Sequence, residues 1–205
     1  ALPAGRIAPG ASVALAVGSR GIADIVRVVA GLVEGLKRRG CEPFLVPAMG
    51  SHGGATPAGQ EATLERLGIT QETVGATIRS QGGVLEVART DSGLPVFADR
   101  LAVSADVIIP VNRIYTHTNF SSRVESGLFK MLAVGLGKRQ AAESAHRAAL
   151  GRGLGEVILE VGRKALVARS VRLIRKRRAT TVLRSPRSNG TRTGLNSSPL
   201  CAAMP

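Results

Sequence analysis

Residues 12–47 read SVALAVGSRGIADIVRVVAGLVEGLKRRGCEPFLVP, and this stretch decides the fold class. Ser12–Val17 is a short apolar run closed by Gly18, the pattern of a strand buried on both faces. Ile22, Ile25, Val26, Val29, Leu32, Val33 and Leu36 then recur at helical spacing. Lys37, Arg38 and Arg39 suit the negative end of that helix, and Gly40 can terminate it. Pro43–Pro47 (PFLVP) reads as the next strand. Strand, helix, strand at this spacing is a βαβ unit, which implies a parallel sheet with a right-handed crossover.

Working outward, Thr56-Pro57 has the form of a helix N-cap with proline at the first helical position, and Gly68 closes that helix. Thr70 is expected to cap another helix reaching about Ser80. Val84–Arg89 and Leu94–Ala98 flank Asp91-Ser92-Gly93 as a hairpin. Ala105–Val111 is a further buried strand, with loop chemistry from Asn112 onward. Glu125–His146 is expected to be helical in two pieces parted by Gly135-Leu136-Gly137. There is no internal repeat.

After about Val167 the pattern fails. Residues 168–205 hold nine Lys or Arg and no Asp or Glu, so of the net charge of +14 only 14 − 9 = +5 belongs to residues 1–167. This reading divides the chain into a domain, 1–167, and a basic tail, 168–205, of disordered, truncated or out-of-frame character. The RKRR run at Arg175–Arg178 suits non-specific nucleic-acid binding. One Tyr, four Phe and no Trp leave little with which to stack bases. Cys41 and Cys201 make no disulfide framework. The start lacks the order of a signal peptide and no apolar run reaches about 18 residues, so the expected location is cytoplasmic, with no membrane partner.

The three histidines carry most of the chemical information. His52 follows the second strand in Met49-Gly50-Ser51-His52-Gly53-Gly54, and His117 follows the strand ending at Val111. Ligands in open α/β sheets gather outside the carboxyl ends of strands. Two readings stand: an acid/base pair able to transfer protons at neutral pH, or two loop histidines with local hydrogen bonds. His146, among alanines, carries little weight alone. Lys130 is the polar residue of the apolar segment Gly127–Leu132. It either snorkels to solvent or, desolvated, becomes a nucleophile. A continuous helix would part Lys130 from His146 by roughly 24 Å, so sharing one ligand requires a turn at Gly135–Gly137. Gly137-Lys138 fails as a P-loop, Gly151–Gly155 fails as a dinucleotide fingerprint, and there is no H-E-x-x-H or C-x-x-C.

The segments VPAMGSHGGATPAGQEATLERLGI, RIYTHTNFSSRVESGLFKMLAVGLGKRQAAESAH and GLGEVILEVGRKAL together resemble the amino-terminal domain of the nickel-pincer lactate racemase family, in its uncharacterised branch. The resemblance covers about residues 6–167. It implies a Rossmann-like, mainly parallel α/β sheet with flanking helices, incomplete relative to a two-domain family. It further implies a 2-hydroxy acid racemase or epimerase using a nickel-pyridinium-3,5-bisthiocarboxylate mononucleotide, with cofactor biosynthesis proteins as partners. By motif match, Lys130 would carry the cofactor and His146 would bind nickel, while His52 and His117 match the acid/base pair. Hydride would leave the substrate carbon for the pyridinium ring and return to the other face of the planar keto acid. The family's Asp-x-Thr-Arg-Pro run is replaced here by Val17-Gly18-Ser19-Arg20-Gly21, leaving Ser19 for the cofactor and Arg20 for the substrate carboxylate. A non-catalytic relative of the same fold is the alternative.

Overall fold

The computed structural model describes residues 7–20, 22–115, 122 and 124–168. His117 and the tail beyond Ala168 lie outside the described residues. Strand β1 (Ser12–Val17) is central in a three-stranded parallel sheet, between β2 (Glu42–Pro47) and β5 (Val107–Val111). Helix α1 (Ile25–Lys37) makes the crossover from β1 to β2. The mixed α/β architecture, a parallel sheet with flanking helices, is Rossmann-like.

Both faces of β1 are buried, and its alternation divides two cores. Val13, Leu15 and Val17 join Ile25, Val29, Val33 and Leu36 of α1, with Leu45 and Val111 from the neighbouring strands. Each such side chain, withdrawn from water, contributes about 1.5–3 kcal/mol. Ala14 and Ala16 face the other way, joining Phe44, Val46 and Ile108 in a core that contains Leu132, Leu136, Val157 and Ile158. That second core is closed by helices α6 (Lys138–Ala149) and α7 (Leu154–Val167), and by the hairpin of β3 (Val84–Arg89) with β4 (Pro95–Asp99). Small residues on this face of β1 leave room for the larger side chains packed over it.

Helix α2 (Pro57–Arg66) starts as its sequence suggests, the Thr56 hydroxyl accepting from Gly59 N. The strand expected from Ala105 begins at Val107, the helical segment expected over Glu125–His146 runs from Leu128 to Ala149, and two further helix boundaries also differ from expectation. Helix α1 begins at Ile25 because Asp24 holds a left-handed φ of 55°. The helix capped by Thr70, α3 (Gln71–Val74), stops at Gly75, whose φ is 71°. The chain beyond it is extended, with Leu45 N donating to Thr77 O and Arg79 N donating to Leu45 O. Ile78 thereby forms a parallel bridge at the outer edge of β2, which a helix to Ser80 would have forfeited. The short helix α4 (Arg100–Ser104), capped by the Asp99 carboxylate accepting from Ala102 N, contributes Ala102 to the second core. Among the described residues, no helix is long and apolar enough to cross a membrane.

Candidate active site

The carboxyl ends of β1, β2 and β5 open into one cavity of about 340 Å³. Gly18, Ser19 and Arg20 follow β1, Ala48–His52 follow β2, and Asn112, Arg113 and Tyr115 follow β5. The fourth wall is less regular. Helix α5 (Leu128–Lys130) runs into a π-helical turn, Met131–Gly135, in which Leu136 N donates to Met131 O. Such wide turns displace side chains by one position and recur at functional sites.

Local packing dictates this wall. A Cβ on Gly135 would lie 2.7 Å from Ala48 O, so only glycine lets the π turn approach the end of β2. Gly50 N donates to Gly135 O at 3.2 Å, fastening the His52 loop to the Lys130 segment. The chain then turns at Leu136-Gly137 into α6. Ala142 and His146, one helical turn apart on α6, both line the cavity. Of the sequence-derived candidates, Ser19, Arg20, His52, Lys130 and His146 therefore line one cavity; His117 is not among the described residues.

The side chains interact within it. Ser19 Oγ lies 2.5 Å from His52 Nδ1, which leaves Nε2 as the ring nitrogen for exchange with a ligand. The turn bearing His52 is held from behind by buried Gln60, whose Nε2 donates to Gly50 O at 3.0 Å and to His52 O at 3.5 Å. His52 keeps one side open to solvent, yet desolvation by the cavity wall lowers its pKa, as do the charges of Arg20 and Lys130. Lys130 is half-buried, and its pKa is lowered first by that burial and then by Arg20. The imidazole is thereby kept neutral, and the amine is nearer its nucleophilic form than an exposed lysine.

Arg113 and Tyr115, which carry no pattern of their own in the sequence, complete the site. Arg20 and Arg113 both lie against the Tyr115 ring, their guanidinium carbons 5.4 and 5.6 Å from its centroid. Tyr115 is in turn anchored by buried Ser126, whose hydroxyl accepts from Tyr115 N at 2.7 Å and donates to Tyr115 O. The only signal for Arg113 in the sequence is its place two residues beyond β5. No carboxylate is present among the described residues lining the cavity. The arrangement can bind an anion, exchange a proton through His52 and present an amine. No family model matches the chain, and no curated protein matches it.

Proposed function

We propose that the chain is an isomerase of 2-hydroxy acids, of the lactate racemase type, working with a lysine-tethered nickel-pincer nucleotide. The observation that carries this reading is the convergence of Ser19, Arg20, His52, Lys130 and His146 on one cavity, from sequence positions up to 127 residues apart. The donor set fits such a cofactor. Among the described residues no group of three or more His, Cys, Asp or Glu is able to hold a metal ion, so a bare nickel site lacks support. A pincer ligand would bring donors of its own, and His146, which lines the cavity, would be the protein's ligand to the nickel.

In this reading Arg20 takes the substrate carboxylate, since a guanidinium matches a carboxylate in a two-point fork. His52, neutral at pH 7, accepts the proton of the substrate hydroxyl, with Ser19 fixing its ring. The bound cofactor supplies a cationic ring able to accept and return hydride. Lys130 holds the cofactor by its amine, and lowering of its pKa favours the neutral form that acylation requires. Inversion also needs an acid/base group on the opposite face of the substrate, the role proposed for His117. The partners are a small 2-hydroxy acid and the proteins that make the cofactor, and the proposed compartment is the cytoplasm.

The test is co-expression with the cofactor biosynthesis proteins, followed by peptide mass mapping, nickel analysis and chiral chromatography. The expected result is an adduct on Lys130 that Lys130→Ala lacks. His146→Ala should lose nickel but retain the adduct, and His52→Ala should retain both while losing turnover. An unmodified chain free of nickel after loading overturns the proposal.

A further inference from the structure

Resting on the reading just given, we infer that Arg113 is a specificity-determining residue, and that the substrate carries a second anionic group, carboxylate or phosphate, besides the carboxylate beside its hydroxyl. The argument is one of charge. Three cationic side chains, Arg20, Arg113 and Lys130, line the cavity, with no carboxylate among its described lining residues. Neither guanidinium has a carboxylate within ion-pair distance among the described residues. Their common neighbour is the Tyr115 ring, which attracts both through its face but neutralises neither.

A simple 2-hydroxy acid brings one carboxylate, and one guanidinium suffices to bind it. Lys130 is committed to the cofactor in the proposed reaction and loses its charge on acylation. Arg113 is left over, an exposed cation lining the same cavity beside the ring that Arg20 also touches. A ligand with two anionic groups gains a charge-assisted hydrogen bond at each end. Ser126 clamps the Tyr115 backbone through both its N–H and its carbonyl, which fixes the point from which the ring between the two guanidiniums projects. This preorganisation is what turns a nearby charge into a selective contact.

Calorimetric titration of the full chain, free of cofactor, carrying Lys130→Gln so that this position is uncharged as acylation would leave it, and at fixed ionic strength, tests the assignment. The probes are lactate, malate, glycerate 3-phosphate and nicotinic acid mononucleotide. Malate or glycerate 3-phosphate should bind about tenfold more tightly than lactate, the usual contribution of one charge-assisted hydrogen bond. The relative affinity of those two shows whether the second group is carboxylate or phosphate. Arg113→Gln should erase the preference, weakening the dianions about tenfold more than lactate, while Arg38→Gln, at an exposed arginine at the end of α1, should alter nothing. Equal binding of lactate and both dianions overturns the inference, as does a preference that survives Arg113→Gln. If Arg113→Gln weakens the mononucleotide and not malate, Arg113 serves the nucleotide phosphate and the inference also fails. Failure of the racemase reading looks different: Lys130 stays unmodified, whatever the dianion preference. Conversely, a loaded enzyme that binds and turns over lactate as well as malate defeats only the present inference.

Discussion

His52 sits among neighbours that all act on its proton in the same direction. Burial, Arg20 and Lys130 each disfavour the imidazolium, in that order. Its titration followed by NMR should therefore show a midpoint below the ordinary value of about 6.5, moving back toward it in Arg20→Gln. The stability consequence has a definite sign. Because the folded state binds this proton less readily than the unfolded chain, stability rises with pH between the folded and unfolded pKa values. Acidification through about 6.5 should destabilise the fold until the lowered midpoint is passed, and His52→Gln should flatten that limb. Lys130 is depressed likewise, so acylating reagents should reach half-maximal labelling there at a pH below about 10.4; half-maximal labelling at or above it would contradict the burial. Most of these residues were legible without coordinates, because strand ends and the Gly135–Gly137 break announce where side chains gather. Gln60 and Arg113 were not. A glutamine in an ordinary helix and an arginine in a loop carry no local pattern; their roles come from distant partners, Gly50 O for one and the Tyr115 ring for the other.

At the level of elements, the join between the π turn and α6 carries a buried charge pair. Lys138, with a φ of 50°, opens α6 and reaches back to Asp99, its Nζ 2.8 Å from the carboxylate and donating to Ser80 O at 2.9 Å. Asp99 is fully buried and Lys138 nearly so, and the same carboxylate caps α4. Asp99→Ala removes the cap and strands the lysine, which should cost about 3–5 kcal/mol in urea unfolding. Lys138→Met with Asp99→Asn should recover part of that loss, since no uncompensated charge remains buried; a double variant as unstable as Asp99→Ala would show the pair is not the cause. Gly135→Ala should cost about 1–3 kcal/mol, because its methyl group would collide with Ala48 O and push the π turn off the end of β2. The sequence announced helices, strands and hairpin through periodicity and turn residues, but neither of these features. A π turn has the same apolar pattern as an α-helix, and Gly137-Lys138 was informative only as a failed phosphate loop. The early stop of α3 was equally hidden, since Thr70 marks where a helix begins and the parallel bridge that claims Ile78 lies on another strand.

The whole molecule separates two kinds of positive charge. Nine basic residues after Val167 form a sequence run suited to polyanions, whereas half-buried Lys130 and the exposed Arg20 and Arg113 line a cavity at the sheet's carboxyl edge. Binding by the first kind should fall steeply with salt, as counterion release dictates. The cavity offers a small anion only two or three of these charges, and the salt slope scales with the number neutralised. Small anions should therefore raise the thermal transition with a shallow salt dependence, and the shift should survive excess heparin added to occupy the tail. Proton linkage supplies the second mark of the cavity. An anion beside His52 favours the imidazolium and raises its pKa, so binding must take up a proton across the window between the free and bound values. Malate should accordingly bind more tightly at pH 6 than at pH 8. Calorimetry in buffers of different ionisation enthalpy should report uptake of up to one proton per ligand. His52→Gln should reduce the uptake and flatten the pH dependence of the affinity, since guanidinium groups keep their charge over this range. Uptake that persists undiminished in His52→Gln would assign the linkage to another group, and release of protons on binding would show that the anion sits elsewhere.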